Sequence, residues 1–424
     1  LLLEVNTQIS DDGSLIYEVF EALPALNVLP AQLYSNNNGV KTLLQSVPAD
    51  PTFSGTGFGE IDAGAASPDF SLVSLLDDDG GSDLRVRVFS TSDFTTPVIS
   101  TEFSDFGGGG SANGGFFSAS NNYLFINYIS SATGIGPIFK VLSVQSGLST
   151  VATASLPGFS ESVRPISIGS KTFIPANYLG ATGFTDPVIQ PPYGFQIAIY
   201  DESNNSLAIV SSPTMYNAPE IDVVLLSNGK IRIAAGIKNI VGFADSPITA
   251  PYPAVPLLLI GSATYTDTNN VQIFDFDPNT NALTQVYHIT VSGDINTLNW
   301  LPSSNGTVLA LVHTLVGQFG TPDLYTANNA SDALDWLILD TDLNGVITGS
   351  REVGPLQVLP PAIIYSQISR DSKWLVCGPI VSTPLGFADI PSFGQNTIDP
   401  TSPIPNGFND SFLYSIQPTT VQTV

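Results

Sequence analysis

Basic residues, cysteine, histidine and long apolar runs are all scarce in this sequence, and each scarcity removes a class of function. Twelve Lys+Arg stand against 37 Asp+Glu, a formal net charge of −25 over 424 residues. Charged residues make up 12% of the chain, about half the share of an ordinary soluble domain. Acidic residues are not enriched, so the imbalance is a shortage of bases. Such a chain offers no electrostatic footprint for nucleic acid or an anionic membrane. A single cysteine, Cys377, excludes an internal disulfide framework and any multi-cysteine metal site. The two histidines, His288 and His313, fall on separate strand-like runs without a matching partner. No Gly-x-Ser-x-Gly elbow or Walker loop occurs, which sets aside nucleophilic triads and phosphate-loop chemistry. No apolar run approaches the roughly 18 residues of a membrane span. Helical periodicity is nearly absent.

What is present is a repeated hairpin. Val223-Val224-Leu225-Leu226 and Ile231-Arg232-Ile233-Ala234 flank Ser227-Asn228-Gly229, and Asn-Gly between strand-like runs is a strong turn signal. Related turns stand at Ser10-Asp11-Asp12-Gly13, Ser67-Pro68-Asp69, Ser120-Asn121-Asn122, Gly169-Ser170, Ser303-Ser304-Asn305-Gly306 and Ser369-Arg370-Asp371. The seven copies recur about every 50–75 residues, the mark of a radial or stacked repeat. A second hairpin follows each one. Ile197-Ala198-Ile199-Tyr200-Asp201 aligns with Ile273-Phe274-Asp275-Phe276-Asp277 and with Leu337-Ile338-Leu339-Asp340. Alternating runs such as 84–89 and 195–200 read as half-buried strands. Each repeat is therefore four strands, A to D, with short A–B and C–D turns.

Seven four-stranded units resemble a seven-bladed β-propeller of the WD40/YVTN-like kind, which implies an all-β chain of four-stranded antiparallel blades. The resemblance rests on pattern and spacing, since the Trp-Asp dipeptide of WD40 repeats is missing. An array of β-sandwiches or a β-helix is the alternative. The expected blades are 1–50, 51–105, 106–158, 159–215, 216–291, 292–355 and 356–424, one propeller over 1–424. No strand is borrowed across the chain termini, so the ring should close by packing of the first blade on the last.

Strand direction puts every B–C loop on one face. Those loops swell in the second half and carry Tyr193, Phe243, Tyr252, Phe319, Tyr325, Phe387, Phe393 and Phe408. Long loops on a rigid scaffold commonly bind, here a glycan or a protein; the plainer reading is a cap of loops packed on one another. Inside the ring, Glu60-Ile61-Asp62 and Glu220-Ile221-Asp222 open two A strands at the same distance from their turns, with Asp294-Ile295-Asn296 as a variant. Alternate residues of a strand share a face, so Glu60, Asp62, Glu220, Asp222, Asp294 and Asn296 would form a collar at the channel mouth. Six-bladed lactonases of the gluconolactonase type are similar in binding Ca2+ through Glu, Asn and Asp there. That implies Ca2+ as the one ion to consider, and no organic cofactor. Asp77-Asp78-Asp79-Gly80-Gly81-Ser82-Asp83 reads as a solvated loop tip or a weak Ca2+ site. Asp340-Thr341-Asp342-Leu343-Asn344-Gly345 reads as a hairpin turn, because its twelfth position is Arg351 and not the Glu of a calcium loop.

Scarce Lys, Cys and Met beside abundant Ser, Thr, Asn and Gly resemble secreted surface proteins, and a first residue of Leu suggests a processed chain or a fragment. The expected setting is extracellular or at the cell surface. The predicted D strands hold almost no Lys or Arg, leaving uncharged, β-prone edges. The preferred reading is a non-catalytic structural or adhesive subunit forming a homo-oligomer, filament or layer. A Ca2+-dependent hydrolase or lactonase and a carbohydrate-binding propeller are the alternatives.

Overall fold

The computed structural model describes residues 4–20, 31–48, 61–78, 83–106, 111–129, 138–155, 164–178, 194–213, 219–237, 271–289, 295–314, 333–342, 346–357, 366–377 and 412–415. Among them run seven antiparallel sheets, each built from strands consecutive in the chain. The first holds β1 (Glu4–Ile9), β2 (Leu15–Phe20), β3 (Ala31–Asn37) and β4 (Val40–Ser46). The second holds β5 (Ile61–Ala66), β6 (Leu72–Asp78), β7 (Leu84–Ser90) and β8 (Ile99–Phe103). β9 (Ser111–Phe117), β10 (Tyr123–Ile129), β11 (Ile138–Ser143) and β12 (Ser149–Ser155) form the third. β13 (Ile166–Ile168), β14 (Lys171–Tyr178), β15 (Gly194–Asp201) and β16 (Ser206–Ser211) form the fourth. The fifth contains β17 (Pro219–Leu225), β18 (Ile231–Ile237), β19 (Val271–Asp277) and β20 (Ala282–Ile289). The sixth contains β21 (Ile295–Trp300), β22 (Val308–Thr314), β23 (Ala333–Thr341) and β24 (Ile347–Gln357), running past the expected limit at 355. In the seventh, β25 (Ser366–Ile368), β26 (Trp374–Cys377) and β27 (Phe412–Ser415) are described. A fourth strand there would fall outside the described residues.

The A–B turns fold by local side-chain chemistry. Ser10 Oγ donates to Asp12 Oδ1 at 2.8 Å, the same oxygen accepts the Ser14 N–H at 2.9 Å, and Ser10 Oγ accepts the Leu15 N–H. The pattern returns at Ser67, Asp69, Ser71 and Leu72 and at Ser369, Asp371, Lys373 and Trp374. Short polar side chains thus satisfy amides that the turn leaves out of the ladder. The residue after the carboxylate takes a left-handed conformation: Gly13 at φ 72°, Phe70 at 54° and Ser372 at 59°. Gly13 is required for a second reason, since an added Cβ would overlap the Trp374 ring.

Neighbouring sheets stack face to face. Tyr17, Val19 and Leu33 of the first sheet meet Leu75 and Phe89 of the second. Phe125 and Tyr200 join the third and fourth with ring centroids 5.7 Å apart, and Phe195 and Phe274 join the fourth and fifth at 5.3 Å. Ile9 and Ile16 of the first sheet pack with Val376 of the seventh, so the last sheet meets the first. Stacking on both sides corrects one expectation. Runs 84–89 and 195–200 are not half-buried: in β7 the residues from Leu84 to Phe89 are all buried, and β15 is nearly so. The alternating polar positions of β7, Arg85 and Arg87, are buried as well. Arg87 therefore makes a two-point ion pair with Asp77 (2.7 and 3.0 Å), to which Arg85 adds a bond of 3.2 Å. Asp77 lies on β6 and is 2% exposed, so it belongs to this pair and to neither a solvated tip nor a calcium loop.

Candidate functional site

The inner strands converge. β1 contacts β5 and β25, β5 contacts β9, and β17 contacts both β13 and β21. Their centre is occupied by Arg164, placed two residues before β13. Its Nη1 donates to Asp11 Oδ1 of the first sheet's turn at 2.9 Å, and its Nη2 to Gln367 Oε1 on β25 at 2.8 Å. Nη2 also donates to the Ile9 carbonyl. One guanidinium thus ties the fourth sheet to the first and seventh, across the ring. Burial pushes Arg164 down to about 10, against the attraction of Asp11 and with further lowering from Arg370. Arg370 reaches the same Asp11 oxygen at 3.2 Å, so one carboxylate holds two cations.

Around this centre, side chains bridge the inner strands. Gln367 Oε1 also accepts the Ile9 N–H at 2.8 Å, and Gln8 Oε1 on β1 accepts the Ala66 N–H on β5 at 2.7 Å. Asp222 Oδ2 on β17 accepts the Trp300 N–H on β21 at 2.7 Å. In each case a polar side chain of one inner strand takes the last amide before the next sheet's turn. The turns are linked as well: Asn121 Nδ2 to Asp69 Oδ1 at 2.8 Å, and the Asp371 N–H to the Asp11 carbonyl at 3.0 Å.

Of the six collar residues, Asp222 is the one whose side chain lies among those described. It is 9% exposed, bonded between two sheets. Burial raises its carboxyl to about 7, against the N–H groups of Trp300 and Val223, the charge of Arg164 and the side chain of Asn299. Glu60 and Asp294 lie outside the described residues. The backbones of Asp62, Glu220 and Asn296 are placed on β5, β17 and β21. Register separates the first two acidic repeats. Asp62 is the extra residue of a β-bulge between Ile61 and Ala63, and Asn296 that of a bulge between Ile295 and Thr297. Asp222 pairs regularly with Ala234. A bulge re-aims the side chain that it carries. Asp62 and Asp222 are therefore not register equivalents, although they stand equally far along the chain from their turn serines. The aromatic residues Tyr193, Phe243, Tyr252, Phe319, Tyr325, Phe387, Phe393 and Phe408 all lie outside the described residues. Among the described residues no three His, Cys, Asp or Glu side chains come together, and no helix is long and apolar enough to cross a membrane.

Sequence reasoning passed over Arg164, Gln8 and Gln367. The usable signals were an arginine just before an A strand in a chain with few of them, and Gln two residues before the Ser-x-Asp turn in two repeats.

No family model and no curated protein matches this chain. Solved structures do. The RRP9 WD40 repeats superpose with a TM-score of 0.50 at 11% identity, covering 91% of this chain and 89% of that one. A Kuenenia stuttgartiensis hydrazine synthase gives 0.50 at 12% identity, covering 90% and 96%. The fold is a β-propeller. At these identities the likeness of the propeller extends to its fold alone.

Proposed function

We propose that this propeller is a non-catalytic structural or adhesive surface subunit that assembles with copies of itself through its outer sides. One observation carries the reading. Among the described residues, every exposed large apolar side chain except Leu225 lies on or beside an outermost strand. Val40, Leu43 and Leu44 stand on β4, Val151 on β12, Ile209 on β16 and Val286 on β20, each at least 36% exposed. Val40, Leu43 and Leu44 cluster on β4 and the others repeat the same outer position from sheet to sheet, which suits contact through the sides. The base on β4 is drawn inward. Lys41 on β4 pairs with Glu18 and sits 3.9 Å over the Tyr34 ring, its side chain 3% exposed. The composition supports an extracellular or cell-surface setting.

Sedimentation velocity and negative-stain microscopy of the unglycosylated protein over a wide concentration range test the reading. An ordered oligomer whose population rises with concentration is expected. A monomer that persists at the highest concentration would overturn it. A melting temperature raised by Ca2+ and restored by chelator would favour the channel-mouth hydrolase instead, because a ligand bound only to the folded state stabilises it by mass action.

A further inference from the structure

The outer strands are not equally open to a partner. Four carry a β-bulge: Leu44 is the extra residue on β4, Val151 on β12, Val286 on β20 and Val353 on β24. A bulge breaks the run of evenly spaced backbone groups and twists the edge, one of the devices by which sheets avoid pairing with other chains. β8 has no bulge but carries Glu102. β16 has neither. It pairs with β15 in unbroken register from Ser206 to Ser211, and its sequence, Ser-Leu-Ala-Ile-Val-Ser, contains no charge and no proline. It ends its sheet, and four of its six residues are exposed, Ile209 by 37%.

Resting on the self-assembly reading, we propose that β16 is the contact strand, pairing antiparallel with β16 of a second copy about a two-fold axis. The occupant follows from that reading, and charge selects the direction. Each copy carries a net charge of −25, so a favourable contact must bring together segments free of carboxylates. The acidic end of β16 is its incoming turn, where Asp201 and Glu202 stand; its outgoing end, Ser211-Ser212-Pro213, is uncharged. Antiparallel pairing sets the acidic turn of one copy beside the uncharged end of the other, whereas parallel pairing would put the acids together. Two such strands also present the same donors and acceptors to each other, as an isologous contact requires. Six residues span roughly 20 Å, which makes the contact small and concentration-dependent.

Three proteins compared by sedimentation velocity test this: wild type, Ile209→Lys on β16 and Gln285→Lys on the bulged β20. Thermal melting checks that each folds. The expected result is a dimer in wild type and Gln285→Lys and a monomer in Ile209→Lys. A dimer that persists in Ile209→Lys overturns the β16 contact while leaving self-assembly standing. A wild type that stays monomeric overturns both. If Ile209→Lys fails to fold, hydrogen exchange on wild type decides: amides 206–211 must gain protection as concentration rises, and unchanged exchange overturns the contact. A glycan on Asn204 would also overturn it, because the Asn204-Asn205-Ser206 sequon opens this strand and the sugar would cover it; mass spectrometry of the protein from its source reads this directly.

Discussion

Asp222 makes the stability of this fold fall as pH rises from about 4 to about 7. In an unfolded chain its carboxyl has the ordinary value of 3.8; in the fold, burial carries it to about 7. Between those two pH values the folded protein holds a proton that the unfolded chain has released, so raising pH favours unfolding. The stabilising contribution is complete below about pH 4 and lost above about pH 7. The difference corresponds to about 4 kcal/mol, large against the typical 5–15 kcal/mol of a domain. Asp222→Asn removes the titration while keeping an oxygen for the Trp300 N–H. Urea denaturation of both proteins at intervals from pH 4.5 to 8 isolates the effect, because every other group cancels in the difference. The variant should stand within about 1 kcal/mol of wild type near pH 4.5 and exceed it by several kcal/mol at pH 8. Curves that stay parallel across the range would refute the argument, and would mean that Arg164 and the two N–H groups hold the carboxylate ionised.

Arg164→Met should destabilise the ring by about 1–3 kcal/mol, since a charge-assisted bond is lost while the guanidinium's own burial cost is relieved. A double-mutant cycle with Gln367→Ala should show coupling above about 0.5 kcal/mol, and strict additivity would contradict the cross-ring contact. Asp77→Asn removes the buried carboxylate that Arg87 holds at two points, and denaturation should register a loss of about 3–5 kcal/mol. Gly13→Ala sets a side chain at φ 72° against Trp374. Its melting temperature should fall, and the double variant with Trp374→Ala should recover the steric part of the loss.

The seven-fold strand and turn pattern was legible in the sequence because it is local. Alternation within six or seven residues, and a serine that reaches a carboxylate two positions on, depend on near neighbours alone. The site was legible only as a list of acidic residues. A repeated Glu-Ile-Asp looks the same whether or not its strand carries a bulge, and the bulge at Asp62 with regular pairing at Asp222 is set by the partner strands. Packing decided that 84–89 is buried on both faces, because a second sheet covers the side that an isolated hairpin would leave in water. Packing also turned Asp77 from a loop carboxylate into the anchor of two arginines. The central clamp depends on tertiary structure most of all: Arg164 meets Asp11 across 153 residues of sequence and Gln367 across 203. No local pattern encodes such a meeting, since it exists only once the ring has brought its fourth, first and seventh sheets around one axis.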